Sequence, residues 1–198
     1  MSLGKVRIIG GYWRGRYIKV IDQVGLRPTA DRVRETLFNW LGQNLDGKHC
    51  LDMFSGTGVI GLEALSRGAA HVTMLELSKP VYLALKGNIE SLGNRDELGH
   101  LDLFLADSIQ YSSRLPDQSV DICFIDPPFA NQTIFLKALQ QAVRVTKNDV
   151  GSAIYIEHPK DISPTDLLGG CLNGNLWEIG RTIRSGLATG TLLVPKNE

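Results

Sequence analysis

Four consecutive residues, Asp126-Pro127-Pro128-Phe129, stand where the apolar run 120–125 stops. Prolines cannot donate to a strand ladder and hold the residues before them extended, so a stiff turn must follow that run. Its groups suit a planar base that carries an amino group. Asp126 can accept one N–H, the carbonyl of Pro127 a second, and Phe129 offers a face for stacking. The lone pair of such an amino nitrogen is delocalised into the ring, so it is a poor nucleophile. Two acceptors on its hydrogens can hold that lone pair toward an electrophile. An anionic Asp126 also stabilises the positive charge that develops on nitrogen, and it can take the released proton.

A second constellation lies upstream. The run that starts at His49 ends in Asp52-Met53-Phe54-Ser55-Gly56-Thr57-Gly58, with Gly61 three residues on. The glycines fit GxGxxG between a strand and a helix. Gly56 permits the tight turn, Gly58 a ligand's approach to the backbone, and Gly61 the packing of helix on strand. Glu76 ends the next strand run, 20 residues after Gly56, where a carboxylate can accept both hydroxyls of a ribose. The ligand therefore contains a nucleoside. Beside a dinucleotide pyrophosphate Asp52 would be repelled; it suits an ammonium. S-adenosylmethionine (SAM) carries an ammonium, a sulfonium and no phosphate. Asp107 follows the third run, where it can take an adenine amino group or cap a helix. The candidate cofactor residues are Asp52, Phe54, Gly56, Thr57, Gly58, Glu76, Leu77, Asp107 and Ser108. The candidate catalytic residues are Asp126, Pro127, Pro128 and Phe129.

These groups need a scaffold that brings several strand ends to one edge. Strand patterns at 49–54, 72–76, 101–106, 120–125 and 153–157 alternate with helix patterns at 58–67, 80–92 and 133–145, and a helical turn follows Ser108. That alternation predicts a parallel sheet covered on both faces. Two extended runs near the end, 177–183 and 187–194, add an antiparallel hairpin around Ser185-Gly186. At the other end, 6–9 and 17–20 form a small hairpin. Thr29 can cap a helix whose apolar face is Val33, Leu37, Trp40 and Leu41.

The chain has 198 residues, 43% of them apolar, which suits one core. No run approaches the length of a membrane span, and a cytoplasmic location without membrane association is expected. Cys50, Cys123 and Cys171 form no CxxC pair, so reduced core cysteines are expected and no metal site. His49, His71 and His100 read as surface residues without metal-ligand partners, Glu157-His158-Pro159 as a strand end, and Glu63 as a residue that orients the helix after the glycine loop. Net charge is zero, yet residues 1–41 hold eight bases and only three acids, leaving the remainder at −5. A basic segment with Tyr12, Trp13 and Tyr17 among its cations points to nucleic-acid phosphate. Arg7, Arg14, Arg16, Arg27, Thr29, Arg32 and Arg34 are the candidate nucleic-acid contacts, which the family resemblance given below makes contacts to RNA. Residues 1–28 read as a basic hairpin extension and 29–198 as the catalytic domain.

Together these residues resemble the class I SAM-dependent methyltransferases, within the branch that methylates base amino groups through an (Asp/Asn)-Pro-Pro-aromatic turn. Arg7-Ile8-Ile9-Gly10-Gly11, Trp13-Arg14-Gly15-Arg16, Arg27-Pro28-Thr29 and the run Arg32 to Asn39 are similar to the N-terminal signature of the bacterial RsmD family. The resemblance runs from about residue 5 to residue 157. It implies a Rossmann-like α/β fold with a seven-stranded, mostly parallel sheet. It also implies methyl transfer from SAM, giving S-adenosylhomocysteine, to N2 of one guanine in 16S ribosomal RNA, without metal. By position, Asp52 and the glycine loop would hold the methionine part, Glu76 the ribose, Asp107 the adenine, and residues 126–129 the guanine. The partner would be 16S rRNA in the assembled or assembling small subunit, and the enzyme a monomer. Phe129 stands where many relatives have tyrosine, so no phenol hydrogen bond is expected. An adenine-N6 methyltransferase, a protein or small-molecule methyltransferase and a non-catalytic nucleoside-binding assembly factor stay open as alternatives; an NAD oxidoreductase fits worst, because of Asp52.

Overall fold

Side-chain alternation along the strands sorts the apolar residues onto two faces, and the sheet follows from that division. In β3 (His49–Asp52), Cys50 belongs to one buried cluster and Leu51 to another. Likewise in β6 (Ile122–Ile125), Ile122 and Phe124 join the first cluster, Cys123 and Ile125 the second. β7 (Ala153–Pro159) repeats the division with Ala153 and Tyr155 against Ile154 and Ile156. Strands apolar on both faces must be covered on both.

The computed structural model describes residues 4–21, 31–93, 97–127 and 132–196. β4 (His71–Glu76) and β5 (His100–Leu105) complete the parallel part, and β8 (Trp177–Ser185) and β9 (Ala188–Pro195) add the antiparallel hairpin. The seven-stranded order is β5-β4-β3-β6-β7-β9-β8. Helices α2 (Val59–Ser66) and α3 (Lys79–Leu92) join β3, β4 and β5; α4 (Ser108–Ser112) and α5 (Gln132–Val145) join β5, β6 and β7. The chain therefore moves outward from β3 in one direction and returns to fill the other. β3 and β6 flank the point where the order reverses, where sheets of this kind bind ligands outside the carboxyl ends of their strands. Cys50, Cys123 and Cys171 are buried and free. Among the described residues no helix is long and apolar enough to cross a membrane.

β1 (Gly4–Arg7) and β2 (Tyr17–Val20) form the N-terminal hairpin as a separate two-stranded sheet. Val6, Ile8, Trp13, Ile18 and Val20 join the first cluster, so the hairpin shares the main core and does not fold apart from it. α1 (Asp31–Leu41) turns its expected face inward: Val33 and Leu37 are buried, and Trp40 and Leu41 pack, partly covered, against the first cluster. Beyond that face it also buries Phe38 and Arg34. Between β7 and β8, where no element was expected, lie α6 (Pro164–Gly169) and a single 3₁₀ turn, Gly174–Leu176. Ser163 caps α6 by accepting from Asp166 N at 3.4 Å, and proline occupies the first turn, where its missing N–H is harmless.

Candidate active site

Asp52 is the last residue of β3, paired on one side with Met74 and on the other with Phe124. The chain then leaves the sheet. Met53 N donates to Phe124 O at 3.0 Å and Ser55 N to Leu75 O at 2.9 Å, anchoring the loop to both neighbouring strands. Gly58 starts α2 with φ 81°, a left-handed conformation that side chains disfavour. A Cβ there would also strike Leu85 Cδ1 on α3. Helix packing thus demands glycine at 58, independently of any ligand's approach. A Cβ at Gly61 would stand 2.9 Å from Met74 Sδ, in line with the expected close contact of helix and strand.

The loop encloses a carboxylate that lacks a full set of partners. Asp52 is 3% exposed, and its Oδ2 is buried without a hydrogen bond. Burial raises its pKa to about 7; backbone hydrogen bonds from Phe54 and Gly61 oppose the rise, and the charge of Glu76 adds to it. An unpaired buried carboxylate oxygen is costly, and a cation delivered to it recovers that cost. Glu76, at the end of β4, is held by two backbone donors: Gly56 N at 2.9 Å to Oε2 and Ser78 N at 2.7 Å to Oε1. It pins the glycine loop and keeps further lone pairs for a ligand. Past β5 an open groove of about 380 Å³ is lined by Leu77, Leu105, Ala106, Asp107, Gln110, Tyr111 and Arg114. Leu77 is 69% exposed there. Asp107 caps α4, its Oδ1 accepting from Gln110 N at 2.8 Å, so the capping role foreseen as an alternative is occupied. Ser108 lies buried in the first turn of α4, and Thr57 is buried with Oγ1 3.4 Å from Val59 N. Phe54 is partly buried against the second core cluster.

Three acidic residues thus follow three adjacent strand ends, in the order Asp52, Glu76, Asp107. They fit an elongated ligand with an ammonium at one end, hydroxyls in the middle and a planar ring at the other. The orphaned Asp52 Oδ2 fits the first of these groups, and the groove with Leu77 and Leu105 on its walls fits the last.

On the other side of Asp52, β6 is buried at every residue and gives way to Asp126, partly buried, and Pro127, buried. Asp126 lies two residues beyond Phe124, the partner of Asp52, and one past the end of β6, so both acids stand at the same edge of the sheet on adjacent chain segments. Pro128 and Phe129 lie outside the described residues.

The N-terminal cations divide into surface and interior. Lys5, Arg7, Arg14, Arg16, Lys19 and Arg32 are exposed, as are Tyr12 and Tyr17. Arg16 is also committed to the fold, its Nη1 donating to Leu92 O at 2.9 Å and its Nη2 to Ser91 O at 3.1 Å, the open carbonyls at the end of α3. Two expectations fail. Trp13 is 3% exposed and belongs to the core. Arg34, expected among the RNA contacts, has no exposed surface; its guanidinium meets Glu63 Oε2 at 3.3 Å, Asp31 Oδ1 at 2.5 Å and the Arg7 carbonyl at 3.0 Å. Nothing of it reaches a surface that RNA could touch. Arg27 and Thr29 lie outside the described residues.

Residues 6–175 match the family model described as conserved hypothetical protein 95. Ribosomal RNA small subunit methyltransferase D of Haemophilus influenzae is 42% identical over 163 residues, covering 80% of this chain and 81% of that protein. The enzyme of the same name from Buchnera aphidicola (Acyrthosiphon pisum) is 37% identical, with 79% of each covered. The chain belongs to the RsmD family. A solved structure, described as a putative methyltransferase from Escherichia coli, superposes with a TM-score of 0.78 at 31% identity, covering 98% of this chain and 100% of that one.

Two residues of this RsmD-family chain, Glu157 read as part of a strand end and Glu63 as orienting the helix after the glycine loop, take those places with partners the sequence did not show. Glu157 follows Ile156, the partner of Ile125, so it stands on the strand beside Asp126. Burial raises its pKa, and Tyr155 OH donates to it at 3.5 Å. Only the register of β6 with β7 shows that this strand end adjoins the Asp-Pro turn. Glu63, on α2, is fully buried and accepts from Ile9 N at 2.9 Å, from Arg34, and from Arg67 Nε and Nη2 at 3.1 and 2.9 Å. One carboxylate ties the hairpin and α1 to the helix that begins at the glycine loop. An acid amid the helix's apolar residues was the available signal.

Proposed function

We propose that this protein transfers a methyl group from SAM to N2 of one guanine in 16S ribosomal RNA of the small subunit. The observation that carries this reading is the pairing, at one sheet edge, of an unsatisfied buried carboxylate under a glycine loop with an Asp-Pro turn on the adjacent strand. Its relatives from H. influenzae and B. aphidicola, which bear the name ribosomal RNA small subunit methyltransferase, support the substrate class.

When bound, SAM supplies a methyl group on a positively charged sulfur, which leaves as S-adenosylhomocysteine. Asp52 would hold the ammonium. Glu76 would accept the ribose hydroxyls with lone pairs not used by Gly56 and Ser78. Leu77 and Leu105 would line the adenine site, and the Asp107 oxygen not used in capping α4 would serve the adenine amino group. Asp126 and the Pro127 carbonyl accept the two hydrogens of the guanine amino group and turn its lone pair toward the methyl carbon. Asp126 then stabilises the new cationic nitrogen and takes its proton. A proline at 128 restricts the residue before it to extended shapes, and the ring of Phe129 would add about 1–3 kcal/mol of binding by stacking on the base. Most of the rate comes from placing the two reactants together, a contribution of roughly 7–11 kcal/mol in favourable cases. The transfer needs no metal. Arg7, Arg14, Arg16 and Arg32 face RNA phosphates, and Arg27 and Thr29, in the chain between them, are assigned the same role. The base is read from a loop, where it can be splayed out at low cost. The enzyme acts in the cytoplasm, as a monomer, on assembled or assembling subunits.

The test is incubation with methyl-labelled SAM and small subunits from cells that lack this enzyme, followed by digestion to nucleosides. Label in N2-methylguanosine is expected. Label in N6-methyladenosine, or none, would reject the proposed substrate.

A further inference from the structure

The opposite edge of the sheet, where the strands begin, carries a cluster that methyl transfer does not use. Register pairs His49 of β3 with His71 of β4, and His71 with His100 of β5. Three histidines therefore stand in a row across three neighbouring strands. Side chains alternate along a strand, so His100 and Asp102 share a face, and cross-strand pairing puts His71 on it as well. One carboxylate serves both imidazoles: Asp102 Oδ2 lies 2.9 Å from His71 Nε2, and Oδ1 lies 3.1 Å from His100 Nε2. The His71 and His100 rings meet edge-on with centroids 5.1 Å apart, and His49 meets His71 from the other side at 5.7 Å. His71, His100 and Asp102 each offer a ligand atom, and these atoms all lie within 4.8 Å of one another.

Two imidazole nitrogens and one carboxylate oxygen form a ligand set that suits borderline divalent ions and does not suit the oxygen-seeking Ca²⁺ and Mg²⁺. Zinc takes such ligands at about 2.0–2.2 Å, which in a tetrahedron separates them by roughly 3.3 Å. The two nitrogen–oxygen spacings, each to a different oxygen of Asp102, are already close to that, and side-chain rotation must bring the two nitrogens to one of those oxygens. His100 is exposed and the other two are partly exposed, which leaves an ion a path from solvent and room for a water as fourth ligand. β5 is an edge strand, joined to the sheet through β4 alone, and its far end leads into Leu105, Ala106 and Asp107 of the groove.

We propose that His71, His100 and Asp102 bind one divalent transition-metal ion, zinc by ligand type, which clips edge strand β5 to β4. The ion is structural. It sits at the strand starts, away from the glycine loop and the Asp-Pro turn, and the proposal does not depend on the methylation substrate.

Tag-free full-length protein is titrated with Co²⁺, followed by its visible d–d absorption, and with Zn²⁺ by calorimetry. One ion per chain is expected, and a Tm rise of about 5–10 °C at a hundredfold excess of Zn²⁺ over Kd. His100→Ala, at an exposed position that tolerates truncation, and Asp102→Asn each weaken Co²⁺ binding at least tenfold, whereas His49→Ala leaves it within threefold. Absence of one-to-one binding at 100-micromolar Co²⁺ and Zn²⁺, or binding unchanged in His100→Ala and Asp102→Asn, would overturn the proposal.

Discussion

Asp52 makes a quantitative demand on cofactor binding. In the ligand-free protein burial raises its pKa to about 7, so at pH 6 only about a tenth of the molecules carry the carboxylate that an ammonium requires. Affinity for SAM should therefore fall roughly tenfold from its plateau as pH drops to 6, equivalent to about 1.4 kcal/mol. It should fall again above about pH 8, where an α-amino group loses its proton. Asp52→Asn removes the charge while keeping the shape. A hydrogen bond between charged groups contributes about 1.5–3 kcal/mol, so the variant should bind roughly 10- to 150-fold more weakly and lose the slope between pH 6 and 7. Methylthioadenosine, which has the nucleoside but no ammonium, should bind with little pH dependence to both proteins. The assay is calorimetric titration with SAM at pH 6, 7 and 8. A flat affinity for SAM across that range, or an Asp52→Asn variant with wild-type affinity, would refute the assignment of Asp52 to the ammonium. The effect on folding has the opposite sense. Because the folded pKa lies above the unfolded value near 3.9, the stability linked to Asp52 is complete below that value and lost as pH rises through about 7.

Two further outcomes follow from the buried charges and the basic surface. Glu63→Ala removes the carboxylate shared by the buried guanidiniums of Arg34 and Arg67, which are 0% and 4% exposed; Arg34 keeps Asp31 and the Arg7 carbonyl, and Arg67 keeps Gln43, yet breaking such a network costs about 3–5 kcal/mol. In a chain of this size thermal denaturation should show a Tm lower by roughly 6–20 °C, and a loss under 1 kcal/mol in urea would show that the network is not a keystone. Arg34→Ala should likewise lower Tm, whereas exposed Arg14→Ala should leave Tm unchanged, weaken subunit binding and reduce its salt dependence by about one phosphate contact; salt titrations of binding by both variants check this.

The parallel sheet was legible because its strands are short apolar runs separated by helical periods, and both prolines and glycines mark where the runs end. The positions of Asp52 and Glu76 at strand ends and of Asp126 just past one were legible for the same reason. What failed to show was pairing. Nothing local places Glu157 beside Asp126, or aligns His71 with His100, because strand register is a property of the assembled sheet. Arg34 misled by its type: an arginine in a basic stretch reads as surface until Glu63 is brought to it across 29 residues. Trp13 misled similarly, as an aromatic among cations whose ring the core takes up. The segment 160–176 holds a legible cap, Ser163 before Pro164, but too few periodic apolar residues to announce a helix of six.

In the proposed mechanism Asp126 acts on the target base and not on the cofactor. Asp126→Ala should therefore be compared with wild type for turnover on small subunits and, separately, for SAM affinity. Turnover should fall at least about a hundredfold, the scale of losing one charge-stabilising group at a reacting atom, while SAM affinity stays within about threefold. A variant that still methylates at near the wild-type rate, or one that loses SAM binding in proportion to activity, would contradict it.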